Sequence, residues 1–342
     1  MRLFLTLIFS LIYTCFSAQI VVTDINRKPI PFVEVLSNNK HFYAETNLNG
    51  ELNWRDLEKL KPSDTLFFNL VSFERIFFLK KNLSPNDTIQ LNQRIQELET
   101  FTVNTNPKKY NYQKMDFCYR SYQFNDDSVA FYMDGKGAYV SKLNKDNFDL
   151  HIKESRAFAN QVVEDELQPR NIQVGWSPSV PQPPFRFLPF QVEKQKKSNN
   201  QARIETNESY ITYTLEDKDF IGTNHFAKTE INRVRHQVIL IFRNYEGLDV
   251  SSINDFDNLL YYKSIWEYKT KHDKEKKSTK ILQVDEMYVE DVQYLETVNK
   301  KDYNSSGGMP RKSKYTTEFW KACACELYEV PNKYLLRNLY QR

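Results

Sequence analysis

The chain has 342 residues, 40% of them hydrophobic and 14% aromatic, enough apolar side chain for folded cores in two ordinary domains and too much for a disordered chain. Lys and Arg (47) are nearly balanced by Asp and Glu (44), and a formal charge of +3 excludes a strongly basic nucleic-acid-binding surface. Tyr (21) and Phe (24) far outnumber Gly (8), a bias that suits strands carrying large side chains.

The chain opens on Met1-Arg2, continues through an apolar run from Leu3 to Phe16, and reaches the small residues Ser17 and Ala18. One positive charge, a short apolar core and small residues behind it predict a secretory signal peptide over residues 1–18. The run is too short for a comfortable membrane span. A buried N-terminal element is the competing reading, and a lipid-bearing Cys15 is disfavoured by the bulk of Thr14 before it. No later run is apolar enough to span a bilayer, so no transmembrane segment is expected in the mature chain.

From Gln19 the pattern alternates short extended segments with Pro, Asn and Asp turns. The segments are Ile20–Thr23, Phe32–Leu36, His41–Glu45, Glu51–Trp54, Thr65–Val71, Arg75–Leu79 and Asp87–Leu91. A helical turn is expected over Asp56–Leu60. Seven strands in so short a span predict a β-sandwich rather than a βαβ unit.

Several motifs coincide in this span: Asp24 after the first strand, and Lys28-Pro29-Ile30-Pro31 before Phe32-Val33-Glu34-Val35. Thr46-Asn47-x-x-Gly50-x-Leu52, Asp64-Thr65-Leu66, Asp87-Thr88-Ile89-Gln90-Leu91 and Leu98-Glu99-Thr100-Phe101-Thr102-Val103 follow. Residues 19–103 resemble the carboxypeptidase-regulatory-like domain, a transthyretin-like seven-strand β-sandwich found at the start of many exported proteins of the Bacteroidota. The chain departs from that pattern where Ile20-Val21-Val22 lacks a glycine and where Ser72-Phe73 replaces a Gly-Tyr pair. The resemblance implies an accessory module without catalytic residues. Too few residues follow position 103 for the outer-membrane receptor barrel that such modules often precede.

Residues 104–109 read as a linker, and 110–342 as a β-rich α+β domain with antiparallel sheet, unlike any family identified from its motifs. Tyr110–Phe124 is predicted as a short helix entering a strand, with its aromatics read as core rather than as a glycan platform. Asp126-Asp127 is a turn, and Asp134-Gly135-Lys136-Gly137 is expected to be a hairpin turn. Strands are predicted at Val129–Met133, Phe148–Ile152, Ser209–Leu215, Val234–Phe242 and Ile265–Thr270, with a helix over Asp255–Tyr262. Lys280–Val284 is strand-like, Val289–Val298 is ambiguous between helix and strand, and Thr316–Leu327 is predicted as a terminal helix. Trp176, Phe185, Phe187 and Phe190 lie in a proline-rich stretch that is either a partner-binding loop or an ordered crossover.

Removal of the leader leaves Cys118, Cys323 and Cys325. A disulfide from Cys118 to one of the other two, or three reduced thiols, are both open readings. No metalloprotease His pair, nucleophile elbow or phosphate-binding glycine loop occurs, so no catalytic residue, metal or cofactor is assigned. His225 with His236 across a hairpin, and Asp285 with Glu290 or Asp291, are the weak candidates for metal or acid–base chemistry. The expectation is an exported, non-enzymatic binding or structural protein of the periplasm, outer-membrane periphery or cell surface, with a protein or glycan partner and no nucleic acid. Its alternatives are an exported hydrolase with a dispersed site in 110–330 and a hydrophobic-ligand carrier.

Overall fold

A computed structural model describes residues 18–37, 43–47, 49–70, 73–93, 110–126, 128–143, 148–167, 203–206, 210–216, 221–226, 228–244, 258–273, 275–299, 312–322 and 339–341. The chain divides into two compact units, Met1–Thr102 and Val103–Arg342. Both are built almost wholly of strands, so the protein is mainly β. The signal peptide expected over residues 1–18 falls outside the described residues, apart from Ala18.

All seven strands expected before residue 103 form. They are β1 (Gln19–Thr23), β2 (Glu34–Ser37), β3 (Tyr43–Glu45), β4 (Glu51–Asn53), β5 (Thr65–Asn69), β6 (Ile76–Leu79) and β7 (Thr88–Gln90). They make one sheet in the order β4-β1-β7 and another in the order β3-β2-β5-β6. The pair β1–β7 is parallel and the others are antiparallel. Ile20, Val22, Leu52 and Ile89 from the first sheet join Val35, Leu66 and Phe68 from the second in one apolar cluster. A helical turn, Trp54–Leu57, adds Leu57 to this core.

The motif Thr46-Asn47-x-x-Gly50 has a physical reason in this unit. Thr46 is fully buried; its hydroxyl donates to Ile30 O and accepts from Val33 N, both at 2.9 Å. Asn47 Oδ1 accepts from the backbone N of Asn49 and Glu51, which closes the turn. Gly50 has φ +70°, and a Cβ there would lie 2.6 Å from Val22 O. Only glycine meets both conditions.

Among the described residues the second unit is built on one ten-stranded sheet. Its strands are β8 (Tyr112–Asn125), β9 (Ser128–Lys142), β10 (Phe148–Ala159), β11 (Arg203–Thr206), β12 (Tyr210–Glu216), β13 (Gly222–Phe226), β14 (Thr229–Arg243), β15 (Leu259–His272), β16 (Thr279–Leu295) and β17 (Tyr340–Gln341). The order is β11-β12-β14-β15-β16-β8-β9-β10-β17, with β13 paired to β14 and every pairing antiparallel. Strands β8–β10 and β11–β16 therefore meet at the β16–β8 pair, and β17 returns to pair with β10.

Alternate residues divide the sheet into two faces. One, here the aromatic face, carries Met115, Phe117 and Tyr119 of β8, Met133 and Tyr139 of β9, Tyr213 of β12, Leu240 of β14, Tyr262 of β15 and Met287 of β16 in a single apolar cluster. Both faces of the central strands are buried, so these strands lack the polar–apolar alternation of a half-exposed sheet.

That double burial explains where sequence expectations fail. Tyr112–Asn125 is strand throughout, with no helical entry. Asp134-Gly135-Lys136-Gly137 is no turn; it lies in the middle of β9. Its glycines make room for rings on the adjacent strand. A Cβ on Gly137 would lie 2.7 Å from Phe117 Cζ, and one on Gly135 would lie 2.6 Å from Tyr119 Oη and 2.2 Å from Glu154 O. The helix expected at Asp255–Tyr262 gives way to β15 from Leu259 onward, and the ambiguous Val289–Val298 is strand as far as Leu295. Helix is confined, among the described residues of this unit, to Gln161–Leu167, Phe319–Ala322 and a 3-10 position at Asn258.

Replacing Thr46 by Val should lower the stability of the first unit by about 1–3 kcal/mol, because two buried backbone groups lose their partner. Gly137→Ala should cost the second unit a further ~1–3 kcal/mol through overpacking against Phe117. Urea titrations of the full chain, followed by near-ultraviolet circular dichroism, measure both. Unchanged midpoints would refute the packing roles assigned to these residues.

Candidate functional site

The opposite face, here the charged face, bears the candidate site. Its centre is a row of five side chains on five neighbouring strands: Lys263 on β15, Glu286 on β16, Arg120 on β8, Asp134 on β9 and Arg156 on β10. Each is register partner to the next, so the charges alternate in sign across the sheet. All five are buried, with Arg156 the most exposed at 6%. Cross-strand neighbours on one face stand close enough for direct contact between opposite charges.

The row is knitted by hydrogen bonds. Arg120 Nε donates to Glu286 Oε2, and Tyr261 Oη donates to Glu286 Oε1 at 2.5 Å. Arg156 Nε donates to Asp134 Oδ1 at 2.8 Å, Arg156 Nη2 donates to Oδ2, and Tyr132 Oη donates to Oδ2 at 2.9 Å. Burial raises the Asp134 carboxyl above its ordinary value, while Arg156, Tyr132 and Arg120 act in the opposite direction. At the β10 end the Arg156 guanidinium lies 4.0 Å from the centre of the Trp320 ring. The segment carrying Trp320 is held to the β10 edge by the Ser155–Lys314 bridge, and Glu154 accepts from the backbone N and hydroxyls of Thr316 and Thr317.

A second polar group lies on the aromatic face, where the apolar cluster ends. Ser121 Oγ donates to Asp285 Oδ1 at 2.5 Å, and Gln283 Nε2 lies 3.1 Å from both Asp285 oxygens. Ser264, the register partner of Asp285, has its Oγ 3.5 Å from His236 Nε2. The His236 ring stacks on Trp266 at 3.7 Å between centroids. Serine, histidine and aspartate are therefore gathered, but not as a proton relay. Asp285 engages Ser121 and Gln283, and Ser264 and His236 are almost fully buried.

The residues singled out from sequence fare differently. His225 and His236 do not meet: His225 is exposed beside Glu230 at 3.7 Å, whereas His236 is buried against Trp266. Asp285 does not share a site with Glu290, which pairs at 3.4 Å with Lys136 on the charged face. Asp291 accepts from Gln293 past a bulge in β16. Cys118 is a buried thiol on the charged face of β8. Cys323 and Cys325 lie outside the described residues, as do Trp176, Phe185, Phe187 and Phe190. Among the described residues no group of His, Cys, Asp and Glu could hold a metal ion, and no helix is long and apolar enough to cross a membrane.

The charged row was missed in the sequence because each member is one charge in a different strand. The available signal was a lone Arg, Asp, Glu or Lys inside an otherwise apolar or aromatic run, as in Tyr119-Arg120-Ser121-Tyr122. Only strand register turns those singletons into pairs.

No family model and no curated protein matches the sequence. Among solved structures, one described as "lipid-protein interactions in lipovitellin" is similar with a TM-score of 0.25 and 10% identity. The likeness covers 55% of this chain and 26% of that one, so this chain spans about a quarter of its length. It is too slight to bear on fold or function.

Removing one partner of the central pair leaves an uncompensated buried charge. Arg120→Met or Glu286→Met should each destabilise the second unit by about 3–5 kcal/mol, whereas the double replacement R120M/E286M should recover much of that loss. Thermal melts of the three variants provide the check. Additive losses would show that the pair is not coupled.

Proposed function

We propose that the chain is an exported, non-enzymatic binding or structural protein of the cell envelope. The observation that carries this reading is the saturation of the charged row: each oxygen of Glu286 and Asp134 already accepts a hydrogen bond from Arg or Tyr. Carboxylates so engaged act as cross-links between strands, with no lone acid or base poised for proton transfer. Residues 19–103 serve in this reading as a carboxypeptidase-regulatory-like accessory module. Support comes from the two sheets sharing one core and from the structural work of Thr46, Asn47 and Gly50. Export follows from the leader pattern at residues 1–18.

A second reading, an exported hydrolase, draws on the approach of Ser264 to His236. Expression of the full chain with its own leader, followed by fractionation and intact-mass analysis, tests export. The expected product lies outside the cytoplasm and begins near Gln19; a cytoplasmic product retaining Met1 would overturn that part. Assays with ester, glycoside and peptide substrates test the rest. We expect no turnover that distinguishes wild type from S264A, and activity abolished by S264A would favour the hydrolase.

A further inference from the structure

Asp285 and Glu286 are adjacent on β16 and point to opposite faces of the sheet. Glu286 meets Arg120 and Tyr261, with Lys263 as its register partner on β15. Among the described residues Asp285 accepts from neutral donors, the Ser121 hydroxyl at 2.5 Å and the Gln283 amide at 3.1 Å, and is 1% exposed. The cations of the neighbouring strands, Arg120 and Lys263, are one residue out of phase with it and project to the other face.

The titratable groups on its own face include Tyr119 from β8, Tyr139 from β9, Tyr213 from β12, Tyr262 and Tyr268 from β15 and His236 from β14, with Arg233 the register partner of Tyr268. None of these is a cation in contact with the carboxyl among the described residues. A carboxylate buried among neutral donors costs several kcal/mol unless it keeps its proton.

We propose that Asp285 is a buried proton switch: it holds its proton while the row formed with Ser121, Gln283 and Ser264 stays dry, and its ionisation loosens that row. Burial pushes the carboxyl up to about 7, with Ser121 and Gln283 acting against the rise and the Glu286 charge adding to it. In the unfolded chain the same carboxyl ionises near 4. Between about pH 4 and about pH 7 the unfolded chain has lost this proton and the folded chain retains it. The contribution is complete below that window, declines as pH rises through it, and is gone above it. Proteins outside the cytoplasm meet the pH of their surroundings, so the exported state proposed above would expose the switch to its signal.

The test compares thermal melts of full-length wild type, D285N and E286Q from pH 4.5 to pH 8. The amide of D285N has the shape of the neutral acid and cannot ionise. The melting temperature of D285N relative to wild type should rise by roughly 5 °C or more between pH 5 and pH 8, about a third of the whole linkage effect being present already at pH 5. E286Q, on the other face, should melt lower at both values. The carboxylic-acid C=O stretch present at pH 5 in wild type and absent in D285N should disappear from wild type with a midpoint near 7. An equal deficit of D285N at both values, a stretch that vanishes near pH 4, or failure of D285N to fold at pH 5 would each overturn the proposal.

Discussion

The second unit depends on a line of opposite charges buried across five strands. Lys263, Glu286, Arg120, Asp134 and Arg156 each have their partner on the adjacent strand, so the line forms only when β15, β16, β8, β9 and β10 are in a single register. A slip of one residue would move every charge to the aromatic face and leave it among Tyr and Met side chains. Such a line adds little stability over an apolar equivalent, because desolvation offsets much of the attraction. What it adds is discrimination against misaligned pairings.

This matters most at β16–β8, where strands far apart in sequence meet. At the neighbouring β8–β9 pair, Phe117 and Tyr119 lie over Gly137 and Gly135, a ring-over-glycine fit that also works in one register only. Between β8 and β9 the charged row on one face and the glycine seats on the other thus specify the same alignment. Agreement between independent local features is what separates one native pairing from its near neighbours.

The same two faces give neighbouring acids opposite environments. Glu286 lies among Arg and Tyr donors, whereas Asp285 lies among a serine, two glutamine contacts and tyrosine rings. One residue along a strand is enough to exchange a salt bridge for a proton, because successive side chains point to opposite sides. The Ser264–His236 approach belongs to this neutral side, with both residues buried.

What the sequence determined by itself was chiefly local. The seven strands of residues 19–103 were legible because Pro, Asn, Asp and Gly turns bound short apolar runs, and Asn47 closes its turn through contacts close in the chain. Predominantly β structure after residue 110 was legible in Phe148–Ile152 and Val234–Phe242. Tertiary structure alone decided the rest. Buried on both faces over most of its length, Tyr112–Asn125 loses the period-two signal and imitates helix, a bulge between Val289 and Asp291 breaks that signal in β16, and Gly135 and Gly137 imitate a turn until Tyr119 and Phe117 lie over them. The charged row and the Asp285 cluster join residues up to 166 positions apart, and nothing in the local sequence carries the register that unites them.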